Sequence, residues 1–178
     1  MKATGIVRRI DDLGRVVIPK EIRRTMRIRE GDPLEIYTTR EGEVIFKKYS
    51  LIGGLEDFAA QFCDTLSRST DFTAAVTDRD AIIAVAGSGK RELMGKQISA
   101  ALESMMEQRS IYRCADTPHI PVSDSADKHA VAVAAPILCG GDVLGLVLFL
   151  TADGKQGGET EYKLAQTVAA FLGRHMEG

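Results

Sequence analysis

Basic side chains that could hold a nucleic-acid backbone are concentrated at the start of the chain. The first thirty residues carry nine Lys and Arg against four Asp and Glu. The guanidinium of arginine is planar and permanently charged, and it can pair bidentately with a phosphate or with a guanine edge. Taken singly, however, a surface arginine more often only keeps a small domain in solution. The basic residues of interest are Lys2, Arg8, Arg9, Arg15, Arg23, Arg24 and Arg27.

The formal net charge of -2 hides an uneven distribution of charge. Residues 1–50 carry 12 Lys and Arg against 8 Asp and Glu, whereas residues 51–178 carry 11 against 17. A basic part followed by an acidic part is typical of nucleic-acid binding by the basic part. No helix-turn-helix spacing and no zinc-finger pattern is evident, so we expect DNA shape and bendability to contribute to recognition.

Other motifs that could carry chemistry are incomplete. Gly87-Ser88-Gly89-Lys90 resembles part of a phosphate-binding loop, but Ala84 replaces the first glycine and Arg91 replaces the Ser or Thr that such a loop needs. We therefore interpret it as a turn. Asp153-Gly154 lacks the alternating oxygen ligands of a calcium loop.

The cysteines and histidines give no metal-ligand spacing, so we expect no metal, no cofactor and no catalytic residue. Three thiols fit a reducing compartment, and no signal peptide or membrane-spanning stretch is evident, so we expect a cytoplasmic protein without membrane contact. Buried, inert thiols are favoured over a thiol-dependent reductase, which stays open as an alternative. The residues considered are Cys63, Cys114, Cys139, His119, His129 and His175.

Two hairpins with a helix between them are predicted in the first fifty residues. Strands at Thr4–Ile10 and Arg15–Ile18 flank the turn Asp11–Gly14, and a helix over Lys20–Ile28 follows Pro19. Strands at Leu34–Thr38 and Val44–Phe46 make the second hairpin. So short a chain, with no disulfide, rarely builds a stable core alone, which predicts dimerisation.

The second region is predicted to be α+β, with helices packed on an antiparallel sheet. We place a linker at 51–54 and the second domain at 55–178. The predicted helices are Leu55–Ser69, Gly95–Gln108 and Glu159–Met176. The predicted strands are Phe72–Val76, Ile82–Val85, Ile111–Cys114, Val131–Leu138 and Val143–Leu150, with a polar loop over Thr117–Lys128.

The first fifty residues resemble the AbrB-type transition-state regulators. The motifs that carry this resemblance are Thr4-Gly5-Ile6-Val7-Arg8, Leu13-Gly14-Arg15-Val16-Val17-Ile18-Pro19, Glu21-Ile22-Arg23-Arg24 and Gly31-Asp32-Pro33-Leu34-Glu35-Ile36-Tyr37. The resemblance implies a swapped-hairpin β-barrel dimer that binds double-stranded DNA. It assigns DNA contacts to Arg8, Arg15, Arg23 and Arg24. The neighbouring basic residues Arg9, Lys2 and Arg27 are further candidates for DNA contact, for which a solvating role is about equally expected.

Residues 55–178 resemble a GAF domain in the pattern of helices and strands. That resemblance implies a small-molecule pocket. We expect its walls to include Phe72, Ile83, Val131 and Val133, together with the rest of Val131–Ala135 and the 111–128 stretch. The combination of both domains is similar to regulators of late sporulation genes that activate and repress transcription. Pairing of two dimers into a tetramer through the first and last helices of this domain is expected as well.

A different class of protein shares the swapped-hairpin fold, namely the antitoxins, which bind a toxin protein. An antitoxin usually follows this fold with a short disordered tail. Here more than 120 residues with the pattern of a folded domain follow instead, which disfavours the antitoxin interpretation without removing it.

Overall fold

The computed structural model describes residues 5–49, 52, 54–117 and 119–176. The chain divides into two compact units, Met1–Tyr49 and Ser50–Gly178. Of the linker predicted at 51–54, only residues 52 and 54 are described. No helix in the described part of the chain is long and apolar enough to cross a membrane.

The N-terminal unit contains one short helix and one hairpin. Helix α1 spans Lys20–Thr25, and strands β1, Leu34–Thr38, and β2, Val44–Lys48, pair antiparallel. Cross-strand partners such as Ile36 and Phe46 lie directly opposite each other. The predicted second hairpin is thus present, with its second strand two residues longer than expected.

The first predicted hairpin is only partly present. Its turn forms at 11–15, but the runs Thr4–Ile10 and Arg15–Ile18 contain no strand among the residues that the structure describes. The described residues on the two sides of this turn do not form a ladder of paired strands, so β1 with β2 is the sheet found in the described part of this unit. No closed barrel forms within the described residues of one copy.

The second unit is a mixed α+β domain, which confirms the predicted fold class. Its six-stranded sheet has the order β4-β3-β8-β7-β5, with β6 paired to β7, and each pairing is antiparallel. The strands are β3 (Thr73–Thr77), β4 (Ile82–Ala86), β5 (Tyr112–Arg113), β6 (Pro121–Ser123), β7 (Ala126–Cys139) and β8 (Asp142–Thr151). The helices are α2 (Glu56–Ser69), α3 (Lys90–Leu93), α4 (Ala100–Glu107) and α5 (Glu159–His175).

Two apolar layers cover the two faces of this sheet. One layer packs α2 and α5 against alternate sheet residues such as Ala74, Val76 and Phe149. The other packs α3 and α4 against the intervening residues, among them Ala75 and Leu148. Because successive side chains of a strand point to opposite faces of the sheet, each strand contributes residues to both layers.

Two predicted boundaries in this unit were wrong. The helix expected over Gly95–Gln108 begins only at Ala100, because the Ser99 hydroxyl accepts a hydrogen bond from the Leu102 amide at 3.1 Å and caps the helix there. The loop expected over Thr117–Lys128 contains β6 and the start of β7, whose pairing with each other places polar residues in strands.

Candidate nucleic-acid interface

The turn before Arg15 is organised by one carboxylate. The Asp11 carboxylate accepts hydrogen bonds from the Leu13 amide at 3.0 Å and from the Arg15 amide at 2.7 Å. Gly14 has a φ of 75°, the left-handed conformation that closes a three-residue hairpin loop with a bulge. The Asp11 amide in turn donates to the Arg15 carbonyl at 3.0 Å. The turn is therefore fixed by hydrogen bonds within residues 11–15.

The same carboxylate orients the guanidinium of Arg15. Arg15 Nε lies 2.9 Å from Asp11 Oδ2, and the Arg15 side chain is 68% exposed. The hydrogen bond from the Arg15 amide is the main reason that the pKa of Asp11 lies below its ordinary value. Arg15 thus projects from an ordered turn, with its remaining N–H groups directed to solvent, where a phosphate could be bound.

The other candidate residues upstream lie on the exposed segment before this turn. Arg8 and Arg9 are both exposed and belong to no helix or strand. Lys2 lies outside the described residues. Arg8 and Arg9 precede the turn that holds Arg15 in the same segment of the chain.

Arg23 and Arg24 lie in the last turn of α1 and are exposed. The helix begins after Pro19, whose φ of -57° suits a helix start. With six residues, α1 is roughly 9 Å long at about 1.5 Å per residue. It is too short to act as a groove-reading helix, so its arginines remain candidates for contacts to a nucleic-acid backbone rather than to base edges.

Arg27 occupies a position where helices usually have glycine. Its φ is 50°, and the Ile28 amide donates to the Arg23 carbonyl at 2.7 Å while the Arg27 amide donates to the Arg24 carbonyl at 3.3 Å. This is the Schellman arrangement that ends a helix, with Arg27 as its left-handed residue. Its Nη1 atom is buried without a hydrogen-bond partner in the described part of the chain. The strained backbone is the observation that keeps Arg27 among the candidates, since its buried Nη1 atom is not itself accessible to a phosphate.

The N-terminal unit exposes most of its apolar side chains. Of residues 5–49, only Pro19 is classed as buried. The exposed fraction is 88% for Val7 and 69% for Val17. The other large apolar side chains exposed in this unit are Ile6, Ile10, Leu13, Val16, Met26, Ile36, Tyr37, Val44, Phe46 and Tyr49. An apolar set of this extent needs a covering surface that one copy does not provide.

The four residues expected to line a pocket in the second unit are not brought together. Phe72, Ile83 and Val133 belong to the layer beneath α2 and α5, whereas Val131 belongs to the layer beneath α3 and α4. Residues two apart in a strand normally point to the same side of the sheet. A bulge in β7 between Val131 and Val133 places these two side chains on opposite sides instead. The pattern of alternating residues could not reveal this bulge.

The segment Gly87–Lys90 forms a turn and the start of α3. The Thr73 hydroxyl donates to the Ser88 carbonyl at 3.0 Å, and a Cβ at Gly89 would lie 2.5 Å from the His129 ring. The turn is thus packed tightly against the sheet, where Gly89 with a φ of 76° leaves no room for a side chain.

The three cysteines lie on different elements. Cys63 is on α2, Cys114 follows β5 and Cys139 ends β7, and all three are free thiols. Burial raises the pKa of Cys63 to about 12, which is the opposite of what a reactive thiolate requires. No group of three or more His, Cys, Asp or Glu that could hold a metal occurs among the described residues.

Two positioning residues were missed from the sequence. Asp11 was interpreted only as a turn residue, although its spacing of four from Arg15 across a glycine turn was a signal for the ion pair. Lys48 was not considered at all. Its Nζ donates to the Arg27 carbonyl at 2.8 Å and lies 3.5 Å from Asp32 Oδ2, so it fastens the end of β2 to the segment that follows α1.

Family models match both parts of the chain. The model described as "Stage V sporulation protein T C-terminal, transcription factor" matches residues 54–177. The model described as "Antidote-toxin recognition MazE, bacterial antitoxin" matches residues 7–51.

Individual proteins are similar to the chain over its whole length or over one unit. It is 51% identical over 178 residues to stage V sporulation protein T of Bacillus subtilis (strain 168), covering 99% of each chain. It is 63% identical over 49 residues to the transition state regulatory protein AbrB of the same strain, covering 28% of this chain and 50% of AbrB. Among solved structures, the GAF domain of an Acinetobacter phosphoenolpyruvate-protein phosphotransferase covers 73% of this chain and is itself covered to 84%, with a TM-score of 0.54 and 11% identity. That last likeness shows the fold alone.

Proposed function

Because the chain belongs to the stage V sporulation protein T family of transcription factors, we propose that two copies bind double-stranded DNA through their N-terminal units. Residues 1–50 form the DNA-binding and dimerisation domain, 51–54 the linker and 55–178 a GAF-like domain. The targets are genes of late sporulation, which the protein both activates and represses. A regulator of this kind works on the chromosome, in the cytoplasm.

The observation that carries this proposal is the combination of exposed arginines and exposed apolar side chains on one unit. Arg15, Arg23 and Arg24 are exposed, and Arg15 is oriented by Asp11. Covering the apolar set with a second copy would bury it in a shared core and would double the number of guanidiniums. The resulting surface matches the regular spacing of phosphates better than a single arginine could.

Recognition is proposed to depend mainly on the backbone and shape of the duplex. The only helix in the described part of the N-terminal unit has six residues, too few to follow a major groove. Contacts from turns and short helix ends position a protein on DNA, and sequence preference then comes from how easily a duplex deforms.

Fluorescence anisotropy with a labelled duplex tests the arginine assignment. The test variant replaces three candidates together, and a control replaces three exposed arginines elsewhere, so that the net charge falls equally in both. The test variant is Arg15→Gln/Arg23→Gln/Arg24→Gln, and the control is Arg40→Gln/Arg68→Gln/Arg91→Gln. Loss of affinity in the test variant alone supports the proposal, whereas an equal loss in both would show that only net charge matters.

The second unit is proposed to join dimers into tetramers and to bind a small-molecule signal. Phe58 on α2 and Phe171 on α5 are 43% and 46% exposed, and Phe62 and His175 contact the Phe171 ring. Two such helix pairs could face each other as a bundle. No catalytic activity is proposed, since the thiols lie on separate elements and Cys63 is held in its protonated form.

An antitoxin function is not favoured. The antitoxin model covers only residues 7–51, and the remaining residues match the transcription-factor model and fold into a domain with its own core. Co-purification of a small toxin protein would be needed to support it.

A further inference from the structure

A groove on the second unit lies beside α5, apart from the Phe58 and Phe171 side chains. Its volume is about 380 Å³, within the range of pockets that hold small molecules. One wall is the flank of α5, and the opposite wall and floor come from β7 and the segment that leads into β5. The lining includes Arg109 and Ile111 before β5, Pro136 and Leu138 on β7, and Ala170 and Arg174 on α5.

Small residues keep this groove open. Ala135 lies on β7, and Ala169 and Ala170 lie on α5, so three of the lining side chains are single methyl groups. Close to the groove, a Cβ at Gly173 would lie 2.1 Å from the Leu138 carbonyl oxygen, so glycine lets the end of α5 rest directly on β7. The apolar side chains of Leu138 and Pro136 are exposed and half-buried, respectively, which leaves an apolar surface available to a ligand.

Two arginines at this groove have unused hydrogen-bond donors. Arg109 donates one bond, from Nη1 to the Gly141 carbonyl at 2.7 Å, which holds its guanidinium in place. Its remaining N–H groups make no hydrogen bond or ion pair to the described residues. The Arg174 guanidinium makes neither kind of contact within the described part of the chain, and both side chains are exposed. Two guanidiniums that have no ion-pair partner among the described residues, next to an apolar floor, are suited to an anion with an apolar body.

The backbone of Arg109 supports a functional role for this side chain. Its φ is 53°, and Arg27 is the only other non-glycine residue with a positive φ in the described chain. It follows the last turn of α4, where glycine would be relaxed and where any larger side chain costs conformational energy. The bond to Gly141 then directs an arginine, placed at this cost, to the groove.

We propose that this groove binds a small organic acid, with its carboxylate held by Arg109 and Arg174 and its apolar body lying on Ile111, Pro136 and Leu138. The site differs from the pocket predicted from the sequence, which included Phe72, Ile83, Val131 and Val133 and shares only Ile111 and Ala135 with this groove. The proposal deepens the signal-binding part of the proposed function and is independent of the DNA-binding part.

Binding of 2-naphthoate to the full chain tests this site without DNA. The chain contains no tryptophan, so naphthalene fluorescence anisotropy can be followed without a tryptophan background. The neutral isostere 2-naphthamide has the same shape but no charge. Loss of a charge-assisted pair predicts about tenfold weaker binding for the amide, and about tenfold for each of Arg109→Gln and Arg174→Gln.

Two further variants locate the binding. Ala170→Leu places a good helix former at an exposed position and fills the groove while both arginines stay, so it should abolish binding. Arg91→Gln removes an exposed arginine away from the groove and should leave the affinity unchanged. No binding of 2-naphthoate, equal binding of acid and amide, or binding that survives Ala170→Leu would each overturn the proposal. DNA binding by the same preparations, measured separately, shows whether the proposed function stands regardless.

Discussion

Replacing one exposed valine in the N-terminal unit should break the proposed dimer. Val17 is 69% exposed in the single chain and lies in a run that has no strand partner. We expect Val17→Asp to leave an isolated copy almost unaffected, since its side chain has few contacts to lose. If a second copy covers this surface, however, the variant places a carboxylate in the interface.

The expected magnitude follows from the exposed fraction. Full burial of a valine side chain stabilises by about 1.5–3 kcal/mol, so burying the exposed part of Val17 would contribute about 1–2 kcal/mol. A twofold axis repeats the substitution, which gives about 2–4 kcal/mol per dimer, or roughly a 30- to 900-fold weaker association. Desolvation of the two carboxylates adds to this loss in the same direction.

Sedimentation velocity of the full chain over a dilution series measures the effect. The Val17→Asp variant should lack one association step that the wild type shows. Its far-ultraviolet circular dichroism should still show the second unit folded. Met94→Asp is the matched control, because Met94 is 48% exposed but lies in the second unit. An unchanged distribution of masses in Val17→Asp would refute the argument that a second copy covers the apolar set.

Three further predictions concern single side chains. Asp11→Ala should weaken DNA binding, because the turn and the Arg15 guanidinium lose their hydrogen-bond acceptor, even though the variant also removes a negative charge near the DNA. Tighter binding of the variant in fluorescence anisotropy would mean that net charge alone decides the affinity. Since the pKa of Asp11 is lowered, its carboxylate should still accept the hydrogen bond from Arg15 at a pH somewhat below its ordinary pKa of 3.8, and should lose it as the pH falls through the lowered value. The Arg15 Nε resonance, followed in a pH titration, would report this loss. Arg27→Gly should not lower the melting temperature, because glycine relieves about 1 kcal/mol of left-handed strain, but it should reduce DNA affinity. A variant that binds DNA as well as the wild type would remove Arg27 from the site. In thiol titration at pH 8, half-buried Cys139 should react before Cys63, whose pKa is about 12 and which should react only on unfolding; early modification of Cys63 would contradict its assigned burial.

Local patterns in the sequence were sufficient for most elements of the second unit. The hairpin of β7 and β8 was predicted from two apolar runs around Gly140 and Gly141, and α2 and α5 from apolar residues at helical spacing. The start of α4 was wrong because Ile98 continues the apolar stripe of that helix, whereas the capping hydroxyl of Ser99 ends the extended segment one residue later.

Features that depend on distant residues or on a second copy could not be predicted in the same way. The strands around the Asp11 turn need a partner backbone. The β7 bulge that separates Val131 from Val133 has no local signature. Arg109 and Arg174 are 65 positions apart in the sequence, and only the packing of α5 on β7 brings them to one groove.

The salt dependence of DNA binding tests the central claim most directly. Each phosphate contact contributes about 0.9 to the slope of log affinity against log salt concentration, so three arginines in each of two copies would contribute about 5. We expect the wild type to show a steep slope and Arg15→Gln/Arg23→Gln/Arg24→Gln to show one shallower by up to that amount, with its oligomeric state unchanged. Equal slopes in the two proteins, or no binding of any duplex by the wild type, would contradict the account.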